Sequence, residues 1–202
     1  MSNEDLEFRL PFTGRWFVTS AGDTVNVNHH MRARAQWYGM DFMKTGEPEG
    51  RALKRTRGKT TDDFYSWGEA VLAPVAGEVV AVVDGLPDNR MGSMDEKNPL
   101  GNHVVIKAAA DRFVFFAHFK SGSIKVRPGA SMTAGQALGQ CGNSGRSDAP
   151  HIHLHVQDQP KFNEGIGQNV IFKGINVELT GKKFERVDWP LIRGLFVENG
   201  AG

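Results

Sequence analysis

Apolar and polar positions along this chain alternate in short runs, and almost nowhere do they recur at helical spacing. Gly14 to Ser20 (GRWFVTS) reads as a strand, and a polar loop separates it from a second extended run, Ala35 to Phe42. Ala70–Gly85 (AVLAPVAGEVVAVVDG) sets small and branched residues around Pro74 and Gly77, which predicts strand, turn, strand. Further strands are expected at His103–Ala108, Arg112–Phe119 and Ala137–Gln140, with turn signals in Val126–Gln136. His151–Gln157 (HIHLHVQ) alternates strictly and predicts another strand. The tail predicts a hairpin at Gly174–Phe184, with VDWPLIRGLF as a C-terminal cover. Two stretches lack periodicity and read as long surface loops: the charged Thr45–Asp63 and the turn-rich Leu86–Gly101. The expectation is an all-β, antiparallel sheet architecture.

Composition changes this picture little. At 202 residues, with 40% hydrophobic side chains and a mean hydropathy of −0.38, the chain can bury one core. Its 24 glycines suit many turns. Basic and acidic side chains number 24 and 23, so no dominant nucleic-acid or membrane-surface footprint is expected. No run reaches the roughly 18 apolar residues that a membrane span needs. The N-terminus, MSNEDLEFRLPF, lacks the basic start and apolar run of a secretory leader, so the chain reads as cytoplasmic as written. Cys141 is the sole cysteine, which excludes an intrachain disulfide.

The chemistry concentrates in His151-Ile152-His153-Leu154-His155. On a strand, successive side chains face opposite ways, so the three imidazoles share one face while Ile152 and Leu154 take the other. Neutral imidazole nitrogen is a good zinc ligand. A His-x-His pair alone is weak evidence, because a solvent-facing histidine row looks the same.

Its context is more specific. The stretch GQALGQCGNSGRSDAPHIHLHVQ (Gly135–Gln157) resembles the signature of the lysostaphin/LytM-type metallopeptidases, in which a G-x-S-G turn leads into P-H-x-H on a strand. Asn143-Ser144-Gly145 and Pro150-His151-x-His153 match it position by position. FVFFAHFK (Phe113–Lys120) resembles the family strand ending in Ala-His, with His118 at the matching place. APVAGEVVAV (Ala73–Val82) resembles the Ala-Pro-x-x-Gly-x-Val hairpin, and Asp41 in YGMDF matches the aspartate of the first motif. The resemblance covers about Ala35 to Gln157.

It implies an antiparallel β-sandwich of the duplicated-hybrid-motif kind carrying long surface loops. Residues 35–160 would be the peptidase-like domain, with 1–34 and 161–202 as extensions packed on it. It also implies one Zn²⁺ held by Asp41, His153 and a third ligand, with His151 as general base and His118 as transition-state stabiliser, roles that can be exchanged. The implied activity is hydrolysis of short Gly- or D-amino-acid-containing peptides, such as peptidoglycan cross-links or stem peptides. A peptidoglycan substrate would put the protein in the periplasm or at the cell surface, against the missing leader.

One position departs from the pattern. Four residues before Asp41 the family has histidine, and this chain has Trp37, whose indole offers no lone pair to a metal. The replacement is expected from Asn28-His29-His30, with His30 favoured over His29; His155 is a further candidate, or a residue behind the ligands, as are Asn143 and Ser144. The competing reading is a degenerate domain that binds peptidoglycan or regulates a partner hydrolase, with Trp37 as a stacking surface in the cleft. Cys141 and His103 read as packing residues, Ser144 lacks the strand-to-helix setting of a nucleophile, and RALKRTRGK reads as a solvated loop.

Overall fold

The structure is a computed structural model that describes residues 6–46, 50 and 53–200. Five residues of the loop expected at Thr45–Asp63 (47–49, 51 and 52) lie outside the described residues, and with them the start of its basic run. Regular structure is almost all strand: β1 (Trp16–Ser20), β2 (Met40–Lys44), β3 (Ala70–Leu72), β4 (Gly77–Val83), β5 (Asn102–Ala109) and β6 (Arg112–Phe119). They are followed by β7 (Ser131–Met132), β8 (Ala137–Gln140), β9 (Ile152–Gln157), β10 (Gly167–Gln168), β11 (Phe172–Leu179), β12 (Lys182–Trp189) and β13 (Phe196–Asn199). Short 3₁₀ turns occupy His29–Arg32, Arg34–Gln36 and Thr61–Asp63, and among the described residues no helix is long and apolar enough to cross a membrane.

The strands form one large antiparallel sheet, in the order β12-β11-β13-β1-β2-β9-β6-β5-β4-β7, with β10 added beside β9; β3 and β8 make a separate pair. One face of the large sheet packs Phe42, Val104, Ile106, Val114, Phe116, Ile152 and Leu154 against Val71 and Leu138 of the small sheet. The N-terminal segment adds Phe8, Leu10 and Phe12 to this core, with Phe12 stacked on Trp16 at 4.6 Å. Each such fully buried side chain contributes about 1.5–3 kcal/mol from removal of apolar area from water. The all-β antiparallel architecture expected from the alternation, and the sandwich implied by the resemblance, are observed.

Two expectations need correction. Ala35–Phe42 is not one extended run: Arg34–Gln36 is a 3₁₀ turn, and β2 begins only at Met40. The Gly39 amide bonds back to the Gln36 carbonyl and Tyr38 adopts a left-handed φ of 62°, so the chain coils before it extends. Likewise β3 and β4 are not hairpin partners. Pro74 lies between them, and β3 pairs with β8 while β4 pairs with β5 and β7, so the connection passes from one sheet to the other.

Register places the chemistry. Asp41 of β2 stands opposite His153 of β9, which stands opposite Ala117 of β6. Directly paired residues share a face, so these three line up across three central strands while Met40, Leu154 and Phe116 turn into the core. By the same alternation His118 belongs on the core face. Its left-handed φ of 66° interrupts the alternation, and the next residue, Phe119, is again in the core.

Two glycines hold the neighbouring loop against this bulge. A Cβ on Gly101 (φ +59°) would meet the Ser144 carbonyl carbon at 2.4 Å, and one on Gly145 (φ +78°) would meet the Gly101 nitrogen at 2.3 Å. Gly101→Ala therefore combines backbone strain with overpacking and is expected to cost about 2–5 kcal/mol. Gly122→Ala (φ +70°), with open space around it, is expected to cost only about 1–2 kcal/mol. Urea unfolding of both variants checks this, and equal losses would count against the close-packed contact.

Candidate metal centre and active site

The cross-strand pair leaves the Asp41 carboxylate at the base of a cleft of about 720 Å³. His153 Nδ1 lies 3.0 Å from Asp41 Oδ1. On the other side, His30 Nε2 lies 2.9 Å from Asp41 Oδ2, with His29 Nε2 at 3.8 Å from the same oxygen. His151 Nε2 approaches Oδ1 at 3.6 Å. The ligand-capable atoms of His29, His30 and Asp41 all fall within 4.8 Å of one another.

His30 reaches Asp41 because of the turn that carries it. The Asn28 side chain caps this turn by accepting from the His30 amide at 3.1 Å, and its Nδ2 donates to the carbonyls of Gly22 (2.8 Å) and Gly39 (3.1 Å). Ser20 Oγ donates to Asn28 Oδ1. The His30 ring lies so close over Gly39 that a Cβ there would meet its Cγ at 3.0 Å. His29 is different: its side chain is 61% exposed, and its Nδ1 meets Ser20 Oγ at 3.0 Å.

Trp37 takes no part in the cleft. Its indole Nε1 donates to the Met31 carbonyl at 3.1 Å, bracing the turn that presents His30, and Gly167 packs on its backbone. Trp37 is not among the residues lining the cleft, so the stacking surface expected of it there is not found.

His118 and His151 form the opposite wall, with ring centroids 4.7 Å apart. His118 Nδ1 donates to the Ser144 carbonyl and His151 Nδ1 to the Ala149 carbonyl, each at 2.8 Å. Because a carbonyl can only accept, both rings when neutral carry their proton on Nδ1 and keep a bare Nε2. Asn143 and Ser144 act beneath them. Ser144 Oγ donates to the Phe119 carbonyl and accepts from the Asn102 amide, and Asn143 Oδ1 accepts from Ser147 Oγ. Both residues are fully buried, so Ser144 is a brace for the loop rather than a nucleophile.

Electrostatics keeps the cluster ready for a cation. Burial is the largest influence on Asp41 and would raise its pKa, but His30, His151 and the hydrogen bonds of His153 and His30 together hold it well below the ordinary carboxylate value. Burial lowers His153 to about 4 despite its bond to Asp41. Burial first, then the neighbouring imidazoles, pushes His118 and His155 well below the usual histidine value. Neutral rings around an ionised carboxylate are the protonation states that metal binding requires.

His155 stands behind His153. It is fully buried, stacks on Phe115 at 4.7 Å, and its Nδ1 lies 2.8 Å from His153 Nε2. His103 is elsewhere, bonded to the Gly101 carbonyl. Burial raises the Cys141 thiol well above its usual value, which leaves it inert. Arg55 of the basic loop donates to the carbonyls of Asp62 and Phe64.

Residues 58–164 match peptidase family M23, just over half of the chain, and the chain belongs to that family. Endolysin 2638A of Staphylococcus phage 2638A is 30% identical over 97 residues, which make up 46% of this chain and 20% of the endolysin. The chain thus spans about a fifth of that relative. Among solved structures, the catalytic domain of an A109H mutant of the prophage-encoded M23 protein EnpA from Enterococcus faecalis superposes with a TM-score of 0.50 at 20% identity, covering 80% of this chain and 93% of that one. The SpoIIQ–SpoIIIAH pore-forming complex gives a chain at TM-score 0.50 and 14% identity, with 81% and 87% covered. At these identities the two structures speak to the fold alone.

Asn28 was not singled out by sequence, although an Asn before a histidine turn is a capping signal. Asn28→Ala removes the cap and leaves the Gly22 and Gly39 carbonyls short of a donor. It is expected to cost about 1–3 kcal/mol in urea unfolding and to make the His30 ring mobile by NMR. An unchanged ring would show that Gly39 and Trp37 suffice to place it.

Proposed function

We propose that this protein is a zinc-dependent metalloendopeptidase that hydrolyses short Gly- or D-amino-acid-containing peptides, with peptidoglycan cross-links or stem peptides as its substrate class. The observation that carries this reading is the buried Asp41 carboxylate between His30 and His153, faced by two histidines whose Nε2 atoms are left free. The donor set of two imidazoles and one carboxylate is one that catalytic zinc uses, with a position left for water. His30, Asp41 and His153 would hold the ion. His30 is preferred to His29 because it is buried and fixed from three sides by Asn28, Gly39 and Trp37, whereas His29 is largely in solvent.

Zinc when bound supplies Lewis acidity and makes water ionisable near neutral pH. His151 takes up the proton of the attacking water at Nε2, its Nδ1 proton staying on the Ala149 carbonyl. His118 stabilises the oxyanion that forms on the scissile carbonyl through Nε2, which is bare in the neutral ring and first takes up a proton from solvent. Burial disfavours its doubly protonated form until that negative charge develops beside it. The Ser144 carbonyl fixes the ring for this role. Trp37 braces the ligand turn, so the histidine missing from the first motif is replaced from eleven residues upstream of Asp41.

Purified protein is expected to hold about one equivalent of zinc, lost in Asp41→Ala and His153→Ala and weakened far more by His30→Ala than by His29→Ala. His118→Ala and His151→Ala should keep the metal and lose roughly 10²–10⁴-fold in turnover of a muropeptide or glycine-rich peptide. Folded wild type without zinc, or turnover indifferent to chelator, overturns the reading and favours a domain that binds its ligand without cutting it.

A further inference from the structure

Behind the ligand candidates, β9 carries a second buried polar row. His153, His155 and Gln157 share one face of the strand, and His155 and Gln157 are both fully buried. His153 Nε2 meets His155 Nδ1 at 2.8 Å. At the far end, His155 Nε2 and Gln157 Oε1 are both buried, and neither closes a bond of ordinary geometry with any described residue. The orientation of the Gln157 amide is not free. Its Nε2 donates to the carbonyls of Gln159 at 2.7 Å and Lys161 at 2.8 Å, which uses both of its protons and leaves Oε1 as a pure acceptor. The Gln157 side chain interacts with the His155 ring.

Counting protons along this row gives the inference. The line Asp41 Oδ1, His153, His155, Gln157 Oε1 has an acceptor at each end and three gaps between its members. Two neutral imidazoles bring two N–H groups, one fewer than the gaps. If His155 gives its proton to Gln157, its Nδ1 must accept from His153 Nε2, and His153 Nδ1 is then bare and faces Asp41 Oδ1 at 3.0 Å. Two lone pairs at that distance repel, and a cation between them relieves the repulsion. In the two other arrangements His153 donates to Asp41, and the repulsion falls either between His153 Nε2 and His155 Nδ1 at 2.8 Å or between His155 Nε2 and Gln157 Oε1, in both cases between buried atoms away from the cleft.

We infer that Gln157 and His155 are positioning residues that stabilise the Nε2–H tautomer of His153 when a divalent cation takes the place of its Nδ1 proton beside Asp41. This rests on the metallopeptidase reading above. Metal-ligating histidines are generally oriented by an acceptor on their second nitrogen; here that acceptor is itself a histidine, whose own orientation is set by an amide. The row lies against Phe115 and Phe162. The signal in the sequence is the period-two run His153, His155, Gln157.

The test uses the full-length protein with zinc as the probe. His155→Phe fits a slot already lined by Phe115 and Phe162 and removes only the acceptor. It is expected to weaken zinc binding by roughly 10–100-fold in competition with a chromophoric chelator. His155→Asn places a carbonyl oxygen near the former Nδ1 and is expected to recover most of that loss. Nitrogen-15 NMR of histidine-labelled, zinc-loaded wild type should show both His153 and His155 protonated at Nε2. An Nδ1–H on either ring, or equal zinc affinity in His155→Phe and wild type, overturns the inference and leaves the peptidase reading intact. Wild type that binds no zinc overturns both.

Discussion

An aspartate that is only 6% exposed, and whose partners are imidazoles rather than lysine or arginine, sets the terms for everything around it. An ionised carboxylate removed from water is costly unless its charge is compensated, and neutral imidazole N–H groups compensate it only in part. The fold nevertheless holds Asp41 ionised while burial favours the neutral forms of His153, His118 and His155. What the arrangement lacks is a compact positive charge. The proposed divalent cation would supply it in the place where both carboxylate oxygens already have nitrogen neighbours.

The surrounding structure can be understood as the means of maintaining that arrangement. Strand register brings Asp41 and His153 together with no loop between them, so their spacing is as rigid as the sheet. The two catalytic candidates are held less directly, through a loop whose carbonyls orient their rings. That loop in turn is fixed by the buried side chains of Asn143 and Ser144 and by the close approach of Gly101 and Gly145. His118 requires a left-handed backbone to leave the core face. Strain of this kind persists only where the surroundings over-determine it, and here the Gly142–His118 and His118–Leu100 backbone bonds do so on both sides.

In the proposed site, the histidine absent four residues before Asp41 is replaced by His30, on a turn that folds back from further upstream. Trp37, which stands in the vacated position of the motif, serves as the brace for that turn. The same side chain that removes a ligand from the motif therefore helps to present the proposed replacement. Deeper in the strand, the row from His153 to Gln157 extends the polar architecture away from the cleft, so the orientation of one ring depends on an amide two positions beyond its neighbour.

Alternation alone determined most of the fold, because a period of two leaves each strand one way to bury its apolar face; Arg112–Phe119 and His151–Gln157 are the plainest cases. It also placed His151, His153 and His155 on one face before any pairing was known. Sequence could not decide which strands pair, so the transfer of β3 to β8 and the Asp41–His153 register belong to tertiary structure. His118 would face the core if alternation were the whole account, and only the bulge brings it into the site. Sequence favoured His30 over His29, but a coil has no period from which to read direction. The choice between them depended on Asn28, Gly39 and Trp37, three contacts made by chain segments that spacing does not relate. The residues of this chemistry are thus written in the sequence, and their convergence on Asp41 is a property of packing.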